Sequence, residues 1–241
     1  MSQYSEFISD ILKTDYSLQQ ILKDTDDSII ELYKHNSSDN KLVLIKSSNR
    51  NDHIYRKLRG KPHNNLPTVY DVCSDDDYVW VLESFVEGVT LDEKVRQNQS
   101  NEKEIVSYIF DICSALSSLH SLGIVHRDIK PSNVMINDNG KAFLIDFSSA
   151  REISQLAEND TVNLGTPGYA APEQYGVYQS LPATDIYSLG VLFNELIIGV
   201  NPIIKTPKGK IGRIIKKCTS SQISERYQSV EELMKDLKKI K

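Results

Sequence analysis

The sequence predicts an α+β fold in two parts, a small antiparallel β-sheet with one helix over residues 1–83 and a mainly α-helical part over residues 84–241. Three observations predict it. Short β-rich runs separated by polar turn clusters fill the first part, apolar residues at three- and four-residue steps fill the second, and the period changes after Gly88.

The elements follow in chain order. Residues 29–34 (IIELYK) and 41–46 (KLVLIK) flank the polar cluster HNSSDN and read as a hairpin. Residues 68–72 (TVYDV) and 78–83 (YVWVLE) flank Ser74-Asp75-Asp76-Asp77 and read as a second pair, with a helix near residues 50–59 between the two. Asn101-x-x-Glu104 has the pattern of a reciprocal helix cap, and Ile105, Ile109, Ile112, Leu116 and Leu119 continue it as a long buried helix. Asp185 to Ile198 is apolar on nearly every face, which places a helix in the middle of the helical part. A last amphipathic helix runs from Ser229 to Lys239. The expected ligand site is a crevice between the two parts.

A formal net charge of −5 leaves no basic field for nucleic acid or an anionic membrane, so neither partner is expected. The three cysteines, Cys73, Cys113 and Cys218, are far apart, with no C-x-x-C pair, and read as reduced packing residues. The opening MSQYSEFISD has neither the basic nor the apolar region of a signal peptide, and no run of about 18 apolar residues occurs. A cytoplasmic protein is expected; the oligomeric state is left open.

The chemistry concentrates in His126-Arg127-Asp128-Ile129-Lys130-Pro131-Ser132-Asn133, followed by Asp146-Phe147-Ser148 and Gly165-Thr166-Pro167-Gly168-Tyr169-Ala170-Ala171-Pro172-Glu173-Gln174. These strings closely resemble the protein kinases, in the style of bacterial Ser/Thr kinases. The resemblance implies a two-lobed kinase fold, with the N-terminal lobe over 1–83 and the C-terminal lobe over 84–241. It also implies transfer of the ATP γ-phosphoryl group to a protein hydroxyl, with ATP and Mg²⁺ or Mn²⁺ as ligands. In that frame Asp128 accepts the hydroxyl proton, Lys130 contacts the γ-phosphate, Asn133 and Asp146 hold the metal, and Thr166 marks Ser/Thr specificity. Lys46, Leu44, Glu83, Phe85 and Met135 would contact the nucleotide. Glu173 would pair with Arg226, Asp185 would hold the catalytic-loop backbone, and Thr161 is the candidate for a regulatory phosphate received by Arg127.

Five departures stand out. No glycine precedes Gly60, so residues 22–28 (LKDTDDS) replace the usual glycine-rich phosphate cover. Leu44 stands where alanine commonly meets the adenine ring. No glutamate lies between Glu31 and Glu83, so the usual carboxylate partner of Lys46 is missing, and Glu83, at the gatekeeper position, or Asp52 is expected to neutralise it. The Asp-Phe-Gly string ends in Ser148, and the chain between Pro202 and Ile211 is short. A pseudokinase acting as a nucleotide-binding or scaffold module is the rival reading. A small-molecule kinase is disfavoured, because such enzymes usually lack the Gly165–Glu173 segment.

Overall fold

In the computed structural model, residues 12, 14–48, 51–97, 100–153, 165–175 and 180–240 are described. The chain divides into two compact units, one of residues 1–63 and 67–86, the other of residues 64–66 and 87–241.

The first unit is a five-stranded antiparallel sheet of β1 (Tyr16–Thr25), β2 (Ser28–His35), β3 (Lys41–Ser47), β4 (Val69–Ser74) and β5 (Val79–Ser84), in the order β1-β2-β3-β5-β4. Helix α1 (Asp52–Leu58) connects β3 to β4 and buries Ile54, Tyr55 and Leu58. Both expected hairpins are present, β2 with β3 and β4 with β5. The segment 22–28, expected as a loop, instead enters β1 and turns tightly. Thr25 faces Ser28 across Asp26-Asp27, and its hydroxyl donates to the Ser28 carbonyl at 3.0 Å while accepting from the Ser28 N–H at 3.2 Å. The Asp27 carbonyl accepts the Ser48 N–H at 3.0 Å, which ties the turn to the end of β3. A hydroxyl side chain does here what a glycine-rich turn does with backbone freedom.

Directly opposed strand residues project to the same side of a sheet, and neighbours along a strand to opposite sides. Val43 is opposed to Glu83, and Ile45 to Val81, so these four share one face with Leu32 and Ile30 of β2. Leu44 is opposed to Leu82, and Lys46 to Trp80, on the other face, where Leu42, Leu44, Trp80 and Leu82 pack around Leu12 and Cys73.

The second unit is built on α3 (Glu102–Ser121) and α4 (Pro182–Ile198), which follow the short elements β6 (Val89–Thr90) and α2 (Leu91–Arg96) and surround the small strands β7 (Ile124–Val125), β8 (Val134–Ile136), β9 (Ala142–Leu144) and β10 (Arg151–Glu152). The Asn101 cap is reciprocal: its side chain accepts from the Glu104 N–H at 3.1 Å, and the Glu104 carboxylate accepts the Asn101 N–H at 3.0 Å. Twelve consecutive residues of α4, Ala183 to Asn194, are buried, as its all-round apolar pattern requires. Helices α5 (Gly209–Cys218) and α6 (Val230–Leu237) complete the unit, and residues 201–208 before α5 form turns rather than a further helix. No helix among the described residues is long and apolar enough to cross a membrane.

Gly190 marks the closest approach of α4 to the end of α5. A Cβ added there would lie 2.4 Å from the Cβ of Cys218 and 2.8 Å from Cγ2 of Thr219. Gly190→Ala should therefore destabilise the chain by about 1–3 kcal/mol through overpacking, although alanine favours helix, and urea unfolding would measure it.

Candidate active site

Asp185, fully buried in the first turn of α4, organises the segment after α3. Its carboxylate accepts the N–H of His126 at 2.9 Å and of Arg127 at 2.8 Å, and lies 2.8 Å from Nε2 of His120. Burial pushes its pKa up, but His120 and the backbone donors pull it net below the ordinary aspartate value, so it stays ionised. Arg127 is thereby held at φ 71°, a left-handed conformation that costs a non-glycine residue about 1–2 kcal/mol. Gln174 fastens the same residue from the other side, donating to the Arg127 carbonyl at 2.9 Å while accepting the Ala171 N–H at 2.9 Å.

The turn so fixed presents Asp128. Its Oδ1 accepts the Thr166 hydroxyl at 2.7 Å, and its Oδ2 lies 2.7 Å from Nζ of Lys130 and accepts Nδ2 of Asn133 at 2.9 Å. Lys130 also donates to Thr166 Oγ1 at 2.9 Å, which closes a triangle of carboxylate, ammonium and hydroxyl. Burial raises the Asp128 pKa, whereas Lys130 and Thr166 lower it by more, and the carboxylate is held below its usual range. Such a group is ionised and can orient a hydroxyl, and it is neutralised when it takes the hydroxyl's proton.

Asn133 ends a 3₁₀ turn (Pro131–Asn133) just before β8, and Asp146 follows β9. The β8–β9 ladder pairs Val134 with Leu144, and the Ile145 N–H donates to the Asn133 carbonyl at 2.9 Å, so the amide and the second carboxylate belong to adjacent strand ends. Asp146 has φ 66° and accepts the Ser148 N–H at 3.0 Å. Phe147 is buried, its ring edge-on to His126 at 5.8 Å, which anchors the chain just before Ser148. Met135 lies half-buried on β8, opposed to Thr90 and Phe143.

Glu173 and Arg226 form the expected pair, bidentate at 2.7 and 2.9 Å and almost wholly buried. The Thr184 hydroxyl donates to Glu173 at 2.9 Å, and Tyr187 lies under the guanidinium at 4.8 Å. Thr161 lies outside the described residues. Sequence reasoning gave no role to His120 or Gln174. His120 had a signal, since a carboxylate on an otherwise apolar helix needs a donor; Gln174 had none beyond its place in the segment.

The first unit departs from expectation. Lys46, Leu44 and Glu83 were read as lining one site, but Leu44 and Lys46 project to one side of the sheet and Glu83 to the other. Lys46 Nζ sits 4.0 Å above the Tyr78 ring, and Asp52 accepts from Arg56 at 3.0 Å and from Ser74 at 3.2 Å. Neither expected acid therefore neutralises Lys46. The cause is the period of two: a motif aligned on its lysine puts the wrong parity on the Glu83 face. Glu83 itself is buried, and Phe85 lies beneath Nζ of Lys41 at 5.7 Å.

Comparison with known proteins agrees with the second unit's geometry. Residues 20–240 match the protein kinase domain. The chain is 30% identical to serine/threonine-protein kinase PrkC of Bacillus subtilis over 229 residues, covering 82% of this chain and 35% of that protein. It is 30% identical over 187 residues to human serine/threonine-protein kinase PAK 4 (74% and 32%), and 30% identical over 201 residues to the probable serine/threonine-protein kinase PknB of Lactococcus lactis (73% and 32%). The chain thus spans about a third of the length of these relatives.

The Glu173–Arg226 pair should show the asymmetry of buried ions. Arg226→Met alone should cost about 3–5 kcal/mol, because it strands a buried carboxylate, and adding Glu173→Leu should return much of the loss. Urea denaturation of the single and double variants checks this.

Proposed function

The chain belongs to the protein kinase family, and from that premise we propose that it transfers the γ-phosphoryl group of ATP to a serine or threonine hydroxyl of a protein substrate. The observation that carries the reading is the closed triangle of Asp128, Lys130 and Thr166, with all three contacts between 2.7 and 2.9 Å. A substrate hydroxyl brought beside Thr166 would meet both a carboxylate to take its proton and an ammonium to accompany the phosphoryl group. The hydroxyl oxygen forms the new P–O bond, its proton passes to Asp128, and the bond to the departing ADP oxygen breaks.

The residues present suit a divalent metal. Asn133 gives its amide N–H to Asp128, so its Oδ1 is the atom that would face a cation, and Asp146 stands at the adjoining strand end. One carboxylate and one amide oxygen suit Mg²⁺ or Mn²⁺, which take their remaining ligands from water and phosphates. When bound, the metal neutralises charge on the phosphate oxygens. Asn133 and Asp146 would hold it, and Asp128 keeps its place through Asn133. Met135 and Phe85 are kept as proposed nucleotide contacts, together with either Glu83 or the pair Leu44 and Lys46, which project from opposite faces of the sheet. A protein substrate and a cytoplasmic setting complete the reading, the latter supported by three buried free thiols.

An assay with labelled ATP and a generic basic protein tests this. Asp128→Asn and Asp146→Ala should each abolish transfer, by about 10³-fold or more, with melting temperatures near that of the parent chain. Equal transfer by the parent and Asp128→Asn would refute the assignment. The acid limb of the rate profile offers a second check. Asp128 must be ionised, and its lowered pKa keeps activity at acidic pH; Thr166→Val removes one lowering contact, so the limb should move to higher pH.

A further inference from the structure

The net charge of −5 conceals a segregation of charge along the chain. Residues 196–224 carry six cations, Lys205, Lys208, Lys210, Arg213, Lys216 and Lys217, and no Asp or Glu, so the remaining residues sum to −11. An overall negative charge speaks against an anionic membrane as partner, but this distribution does not. All six cations are exposed. At about 100° per residue, Lys210, Arg213, Lys216 and Lys217 fall within an arc of about 120° on α5. Ile211, Ile214, Ile215 and Cys218 are buried on its other side, so the helix turns one basic face to solvent. Lys205, Lys208, Arg213 and Lys216 pair with no described residue, whereas Lys210 donates to the Lys239 carbonyl at 2.7 Å and Lys217 lies over the Tyr227 ring at 4.0 Å. The acids of the neighbouring segments are engaged: Asp236 pairs with Lys239 at 2.7 Å, and Glu225 accepts the Ser220 hydroxyl at 2.6 Å.

The turn before α5 adds an apolar tip. Ile203 and Ile204 are 84% and 76% exposed, more than any other large apolar residue described. Hydrogen bonds hold them there. The Asn201 side chain accepts the Ile203 N–H at 3.0 Å, its carbonyl accepts the Ile204 N–H at 3.0 Å, and Asn194 of α4 donates to the carbonyls of Val200 at 2.6 Å and Lys205 at 2.9 Å. Pro207 then lies against α5, where a Cβ on Gly212 would meet the Pro207 carbonyl oxygen at 1.7 Å. Gly212 stands about 40° around the helix from Lys216, so the turn borders the basic arc. Cations beside a fixed apolar tip match an anionic bilayer, whose headgroups attract Lys and Arg and whose interface accepts side chains that water does not. A nucleic acid or an acidic peptide would answer the charge and leave the isoleucines unexplained.

We propose that the basic face of α5 and the turn before it dock on an anionic lipid surface, with Ile203 and Ile204 entering the headgroup region, a role separate from phosphoryl transfer. Co-sedimentation of the full chain with vesicles tests it. Vesicles of equal parts phosphatidylcholine and phosphatidylserine should carry the chain down, vesicles of phosphatidylcholine alone should not, and concentrated salt should release it. Arg213→Gln combined with Lys216→Gln should weaken binding to the mixed vesicles about tenfold or more, because each cation near the surface adds to it. Ile203→Ser combined with Ile204→Ser should weaken it about tenfold through the lost apolar burial. All four residues are exposed, so both double variants should keep the parent's circular dichroism and melting temperature. Equal sedimentation with the two kinds of vesicle, or with neither, overturns the proposal. So does loss of binding in the charge variant with the serine variant at the parent's level. Tighter binding of a DNA duplex or of polyglutamate than of the mixed vesicles assigns the face to a soluble polyanion and overturns it as well.

Discussion

The carboxylate of Asp185 is the fixed point on which the catalytic unit depends. A charge with no exposure to water is expensive unless donors surround it, and here two backbone N–H groups and an imidazole do so. The arrangement works in both directions. The donors keep Asp185 ionised, and Asp185 keeps Arg127 in a backbone conformation that an arginine would not adopt alone. Because Arg127 is held from one side by α4 and from the other by Gln174, the next residue, Asp128, has little freedom left. Its own contacts to Lys130, Asn133 and Thr166 then set the carboxylate to within a hydrogen bond's tolerance.

This also explains why the second unit was legible in its sequence. Its functional residues act through contacts that one residue type serves and others do not: a carboxylate for two N–H groups, a guanidinium for a bidentate carboxylate, an amide that donates to Asp128 and still presents an oxygen. Such demands leave fixed strings, and the strings carried the fold with them. The long helix was equally plain, because its cap and its apolar spacing agree. Gln174 and His120 escaped notice since each acts through a contact distant in sequence, to Arg127 and Asp185 respectively.

The sheet was legible as strands but not as faces. Strand β1 is exposed over nine of its ten residues, and its apolar residues Leu18, Ile21 and Leu22 keep no period of two, so only the hairpin geometry at Thr25 and Ser28 reveals it. Strand β3 is apolar on both faces: Val43 and Ile45 meet one core, Leu42 and Leu44 another. A strand buried on both sides carries no period-two signal, and a slip of one residue in reading it exchanges every side chain between faces. The lysine at its end was therefore read on the motif, whereas the side it takes is decided by its opposition to Trp80 and its seat over Tyr78.

The missing glutamate and the outward lysine are one fact rather than two. A buried ammonium without its carboxylate costs several kcal/mol, and helix α1, Asp52–Leu58, carries no glutamate to offset one on β3. Ile45 occupies that place instead and continues the apolar surface of Val43, Val81 and Leu32, while Lys46 rests its charge on an aromatic ring at the surface.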